Sequence, residues 1–347
     1  MSRILKRKLL PALALLLAVL LAACGGGVAG GGGSEAAGGG EGEAAGEGEA
    51  AGDYPSEPLN WTIAFGPGGG NDILSRTLID IIDQNDLYSQ PIVAENREGG
   101  SGAVGWGFLH NQAGNPYHIS TTSGSFITTP LEADTPWDPT SFTPVALLAS
   151  DELVLLVNGD SEITSLDQFI ESAKEEPPAL GGIGSVNVDF IVLQLMSSQA
   201  DFEFDYVPFN DEGELTAALL SGSLDGAVSN PAEILGLMDS GDVRGLAYTG
   251  DDVPEALGDI PTMADAGFEI DIATPRGLVL PPDVDPAVQE FWQDVIRQVV
   301  ETPEWATYVE DNLLTEQIAY GEEFEQILQE TTETYRDILI EEGAIEG

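Results

Sequence analysis

Two glycine-rich loops carry the residues best placed to do chemistry. The first, Gly66-Pro67-Gly68-Gly69-Gly70-Asn71-Asp72, follows the apolar run Leu59 to Phe65 and opens a segment with helical periodicity. A strand-to-helix turn of this composition aims several backbone N–H groups at one spot beside a helix N-terminus, which makes an anion site. Gly68, Gly69 and Gly70 allow close approach of a ligand, and Asn71 or Asp72 can cap the helix. No Lys-Ser or Lys-Thr follows, so the loop is not a P-loop, and it lacks the G-x-G-x-x-G spacing of a dinucleotide site. The second loop, Asn96 to Gly105, presents Gly99, Gly100, Ser101 and Gly102 after another strand candidate. Ligands of open α/β sheets gather beyond the carboxyl ends of the strands, where both loops lie. Ser123 and Ser125, around Gly124, end a further strand candidate and offer two hydroxyls or a plain turn.

Other chemistry finds little support. His110 and His118 are the only histidines and sit in no metal-ligand or triad arrangement. Gly99-Gly100-Ser101-Gly102-Ala103 misses the nucleophile elbow G-x-S-x-G at its last position. The expectation is capture rather than conversion, with no catalytic residue, metal or cofactor. Trp106, beside the second loop, is either core or the wall of a site for an aromatic acid. Arg76 and Arg97 either add positive charge to the loops or pair with neighbouring carboxylates.

Short apolar runs alternating with amphipathic segments must position these loops, a pattern of α/β architecture. Leu59 to Phe65, Pro91 to Glu95, Tyr117 to Thr122 and Leu153 to Val157 read as strands. Leu74, Leu78, Ile81 and Ile82 share one helical face, as do Val288, Trp292, Val295, Ile296 and Val299. Before Pro58 the composition changes. Gly25 to Glu57 is nearly all Gly, Ala and Glu, which cannot bury a core and reads as a disordered spacer reaching roughly 30 Å.

Ahead of that spacer stand Arg3, Lys6, Arg7 and Lys8, the apolar run Leu9 to Leu21, and Ala22-Ala23-Cys24, in the order of a secretory leader. Leu21-Ala22-Ala23-Cys24 resembles a bacterial lipobox, so Cys24 is expected to be lipidated; ordinary cleavage leaving a free thiol is the alternative. Cys24 is the only cysteine, which excludes disulfides and thiolate-zinc sites. The chain carries 11 basic and 60 acidic residues, a net charge of −49. Such a surface repels nucleic acid and anionic lipid. It also suits high salt, where screening within about 3 Å at 1 M removes most self-repulsion.

The loops also carry a resemblance. Pro67 to Arg76 is similar to the Pro-Gly-Gly, Asp, Arg signature of the Bug (TctC-like) extracytoplasmic solute receptors, and Asn96 to Gly102 resembles their Asn-Arg-Pro-Gly-Ala-Gly-Gly segment. Further matches follow in order: Phe142 to Val145, Val207 to Phe209, Leu219 to Asp225, Ser229-Asn230-Pro231, Ile260 to Thr262, Arg276 to Leu278, and Pro303-Glu304. The resemblance runs from about Leu59 almost to the end. Glu98, Ser101 and Phe126 depart from it, standing where proline, glycine and histidine are usual.

This resemblance implies a two-lobed, Venus-flytrap periplasmic-binding-protein fold of type II, with mixed, mostly parallel sheets flanked by helices. Residues 1–23 would be the leader and 24–57 the lipidated spacer; 58–157 with 275–347 would form lobe 1, and 158–274 lobe 2. It implies a receptor, expected to be monomeric, that binds a small carboxylate (a di- or tricarboxylate or an aromatic acid). The receptor would deliver it to membrane permease subunits of a tripartite tricarboxylate transporter. Carried over by position, Gly68 to Asp72 and Gly99 to Gly102 would hold one carboxylate, with Ser185, Asn187, Val188, Ser229 and Asn230 contributing from the second lobe. Docking of the loaded receptor on a membrane sensor kinase is the alternative role.

Overall fold

In a computed structural model of the chain the described residues are 54–346 apart from 211 and 271. The expected leader, Cys24 and most of the expected spacer lie outside the described residues. The first half alternates strand and helix: β1 (Leu59–Ile63), α1 (Gly70–Gln84), β2 (Ile92–Asn96), α2 (Ala103–His110), β3 (His118–Thr121) and α3 (Gly124–Glu132). Two successive strands follow, β4 (Thr143–Asp151) and β5 (Val154–Asn158). Alternation then resumes with α4 (Leu166–Glu175), β6 (Ala179–Ile183), α5 (Val188–Ala200), β7 (Asp205–Phe209), α6 (Glu212–Leu220), β8 (Gly226–Ser229), α7 (Pro231–Ser240) and β9 (Val243–Tyr248). The chain closes with β10 (Thr274–Leu280), α8 (Pro286–Val300), α9 (Pro303–Asp311), β11 (Thr315–Tyr320) and α10 (Glu322–Glu341).

These strands make two sheets, one ordered β11-β4-β10-β3-β1-β2 and the other β7-β6-β8-β5-β9. Parallel pairing joins β1 to β2 and β3, and β6 to β7 and β8. The other five pairings are antiparallel, so the sheets are more evenly mixed than the mostly parallel expectation. The reason is topological: β4, β5, β9 and β10, the strands flanking the two passages between sheets, all pair antiparallel.

The first passage is at Glu152-Leu153, because β4 ends at Asp151 and β5 pairs with β8 and β9 of the second sheet. Residues 154–157, expected in lobe 1, therefore belong to the second sheet. The unrecognised neighbour is β4, whose run Pro144 to Ala149 is apolar without alternation and buried almost throughout. Reciprocal bonds pin the passage: Leu153 N–H donates to Thr249 Oγ1 and Thr249 N–H to the Leu153 carbonyl, each at 2.9 Å.

On the first sheet, Leu74, Leu78 and Ile82 of α1 and Trp292, Ile296 and Val299 of α8 are buried with Trp61. Burying such a side chain contributes about 1.5 to 3 kcal/mol, so this face holds α1 in place although it begins on glycines that cost about 0.5 to 1 kcal/mol each. Tyr54 joins the same cluster, its ring 5.0 Å from Phe291 and its hydroxyl accepting from Trp292 Nε1 at 2.9 Å. Tyr54, within the expected spacer, is thus packed against the core, since an aromatic ring has apolar area to bury. Helix α10 packs against both α3 and α5 and so touches the helices of both sheets. Among the described residues no helix is long and apolar enough to cross a membrane.

Candidate functional site between the two sheets

The first loop is built by the side chains of Asn71 and Asp72, which turn inward. Asp72 Oδ2 accepts the Gly68 N–H at 2.9 Å, and Oδ1 accepts from Arg76 Nε at 2.9 Å and Asn96 Nδ2 at 2.8 Å. Burial pushes this carboxyl up, but those three bonds outweigh it and hold Asp72 below the usual range. Asn71 donates to the Thr122 carbonyl at 3.2 Å and accepts from Thr121 Oγ1 at 3.0 Å. Both side chains are spent on holding the loop. Arg76 is engaged by Asp72, and Arg97 pairs with Glu95 while lying over the Phe108 ring.

In the second loop Gly99, Gly100, Ser101 and Gly102 all have positive φ, from +49° to +134°. Ser101 is the residue that strains most there, and its carbonyl is held by Thr129 Oγ1 at 2.8 Å. The two loops meet: a Cβ on Gly66 would stand 2.6 Å from Glu98 Oε2. Trp106 is fully buried beneath Gly102 and donates through Nε1 to the Thr121 carbonyl, so it is core rather than an open wall.

Ser123 is the N-cap residue of α3, and its buried Oγ has no hydrogen-bond partner among the described residues. Ser125 is buried in the first turn. Here the second sheet's elements approach: a Cβ on Gly124 would run into Val188 Cγ2 and lie 3.1 Å from Asn187 Oδ1. Asn187 caps α5 by position, and Ser185 Oγ donates to Glu132. Ser229 Oγ donates to Glu212 at 2.7 Å, and Asn230 Nδ2 reaches the Glu152 carbonyl at 3.4 Å. The expected residues therefore gather at helix N-termini on both sides, but several of their side chains serve the protein's own carboxyl and carbonyl groups.

Five charged residues that the sequence did not single out complete the site. Arg276 on β10 is buried and pairs through Nε and Nη2 with Asp151 Oδ2. Its Nη2 lies 3.1 Å from where a Cβ would stand on Gly70, so the guanidinium reaches the N-terminus of α1. Glu233, in the first turn of α7, is exposed to solvent. Desolvation raises its carboxyl, while Arg276, Glu212 and the Gly70 N–H pull it back. Glu212 meets Glu233 and is pushed up to about 9, chiefly by desolvation and then by the neighbouring carboxylate. Asp189 is buried in the first turn of α5, accepts the Ile183 N–H at 2.6 Å, and is raised to about 7, mainly by desolvation.

Of these five, Arg276 had a usable signal: a rare arginine inside an apolar strand needs a partner. The acids had none among 60 carboxylates. Among the described residues no three His, Cys, Asp or Glu side chains are arranged to hold a metal ion.

Two mixed α/β lobes joined by crossing strands, with glycine loops and helix N-termini facing each other, define a periplasmic-binding-protein fold. The chain belongs to the tripartite tricarboxylate transporter receptor family, TctC, whose model matches residues 80–344. It is 27% identical over 247 residues to the protein BugT of Bordetella pertussis, covering 68% of this chain and 74% of that one. The fold is similar to that of Rhodopseudomonas palustris Rpa4515 with adipate, at a TM-score of 0.77 and 19% identity over 84% of this chain and 99% of that one. It is likewise similar to MatC of the same organism with bound malate, at a TM-score of 0.71 and 18% identity over 82% of this chain and all of the other.

Proposed function

We propose that the protein is an extracytoplasmic receptor that captures a small organic carboxylate between its lobes, without converting it, and delivers it to membrane permease subunits. One observation supports this reading: the Arg276 guanidinium reaches the N-terminus of α1 at Gly70, where the first glycine loop ends, and the carboxyl of Glu233 is drawn toward the same groups. A ligand carboxylate replacing it meets the same helix N-terminus, where each favourable interaction contributes roughly 0.3 to 1 kcal/mol and more when partly buried. Surface carboxylates oppose it weakly, being screened beyond about 10 Å at 0.1 M salt. Malate and adipate in the similar structures support the same ligand class.

In this reading the receptor is a monomer, hinged at Glu152-Leu153 and at the return between β9 and β10, whose closure around ligand presents the loaded form. Lipid on Cys24, outside the described residues, would tether it within reach of its partner and raise its effective concentration there. Calorimetric titration with di-, tri-, aromatic and amino carboxylates tests the ligand class. Saturable binding of a carboxylate is expected, and binding of sugars with none of the carboxylates would overturn it. Cys24→Ser should release the protein from the membrane fraction while leaving ligand affinity intact; full retention would remove the anchor.

A further inference from the structure

Four carboxyl groups and one guanidinium come together between the lobes. Asp151 and Arg276 come from β4 and β10, and Asp189, Glu212 and Glu233 from the first turns of α5, α6 and α7. The cation acting on Glu233 is Arg276, which Asp151 already engages. Asp151 in turn uses only Oδ2: its Oδ1 is buried, in a residue 4% exposed, and has no hydrogen-bond partner among the described residues. A buried carboxylate oxygen left in that state calls for an N–H donor. Among the described residues the groups beside the cluster supply no second cation: Tyr206 stands beside Asp189, Tyr308 beside Arg276, and Glu152 binds Tyr248.

We infer that this receptor selects a small zwitterion, whose carboxylate replaces that of Glu233 at the Gly70 N–H and Arg276 and whose ammonium group is taken by Glu233, Glu212 and Asp151. The inference rests on the carboxylate reading and narrows it. Glu233 remains tethered to α7 after displacement and so faces whatever the ligand carries beyond its first carboxylate. A second carboxylate there adds a negative charge to three acids and leaves Asp151 Oδ1 without a donor. An ammonium group supplies both the missing charge and the missing N–H bonds. The buried Ser123 Oγ, also without a partner among the described residues, is a hydroxyl available to the ligand from the first lobe.

Protons report the difference. Desolvation raises both Glu212 and Glu233, and the carboxyl of Glu233 pushes Glu212 further up, so an incoming ammonium group should expel protons and an incoming second carboxylate should recruit them.

The test is calorimetric titration of the intact protein with pairs that differ at one end: β-alanine against succinate, δ-aminovalerate against adipate, and l-alanine against l-lactate. Each is run in two buffers of different ionisation enthalpy. In at least one pair the amino acid should bind at least about tenfold tighter than its partner, with net proton release. Glu233→Gln and Glu212→Gln should each reduce that preference to about threefold or less. Because Glu233 is accessible to solvent, its variant retains the fold if the Glu212 variant does not. The inference is overturned if in every pair the partner binds as tightly as the amino acid, if the amino acids bind with proton uptake, or if none of the amino acids binds. If no carboxylate in the panel binds at all, the carboxylate reading falls with it; if the diacids or lactate alone bind, that reading stands and only the zwitterion is lost.

Discussion

Arg276 and Asp151 are buried against each other across neighbouring strands, their side chains 8% and 6% exposed, with Nε of the arginine 3.1 Å from Oδ2 of the aspartate. The pair fastens the return strand to the end of β4 immediately before the passage into the second sheet, and it aims the guanidinium at α1. One ion pair thereby couples the crossing strands to the first glycine loop.

Removing one member should be costly, because the other is left charged without a partner. Arg276→Met is expected to lose about 3 to 5 kcal/mol in urea unfolding, and Arg276→Met combined with Asp151→Leu to recover much of it. A loss below about 1 kcal/mol for the single variant, within the range of an exposed pair, would contradict the burial assigned to this contact.

Glu212 should make stability fall as pH rises. Its folded carboxyl is raised to about 9 from an ordinary value of 4.5, so the native state holds a proton that the unfolded chain releases. That contribution is complete below the unfolded value and is lost across the interval up to about 9. Asp189 acts in the same direction between 3.8 and about 7. Denaturant midpoints measured across pH for the wild type and Glu212→Gln provide the comparison. The variant should show the shallower decline, and parallel curves would refute the assignment.

The glycine loops contain positions of unequal sensitivity. Gly102 has φ +88°, and a Cβ there would overlap the Trp106 ring. Gly102→Ala should therefore cost about 2 to 4 kcal/mol through left-handed strain and overpacking, with a change in tryptophan fluorescence. Gly69 has φ −81° and no atom within 4 Å of where its Cβ would stand, so Gly69→Ala should alter stability by no more than about 0.5 kcal/mol. Equal thermal shifts in the two variants would rule out the packing described beneath the second loop.

Salt should stabilise the protein. With 60 acidic against 11 basic residues, self-repulsion in dilute buffer is strong, and molar potassium chloride shortens its range to about 3 Å. Melting temperature is expected to rise from low to molar salt, and a maximum in dilute buffer would exclude adaptation to high salt.

Much of the architecture was legible because it rests on local patterns. The stripe Leu74, Leu78, Ile81, Ile82 marks α1 at a period of 3.6, and Gly68 in the first loop and Gly99, Gly100 and Gly102 in the second mark turns that take left-handed backbone. β4 escaped because a strand buried on both faces has no alternation to detect. β11 escaped for the opposite reason: Thr315, Glu316 and Gln317 are exposed at the sheet edge and give no apolar signal.

The sequence by itself determined the alternating α/β order, the two glycine loops beyond strand ends and the preponderance of acid, all properties of composition or of neighbours along the chain. Tertiary structure alone decided which acids matter. Asp151, Asp189, Glu212 and Glu233 look like any other carboxylates until two sheets bring them together around Arg276. Desolvation and mutual repulsion depend on distance in space, which separations of 80 or more residues between Asp151 and Glu233 cannot reveal.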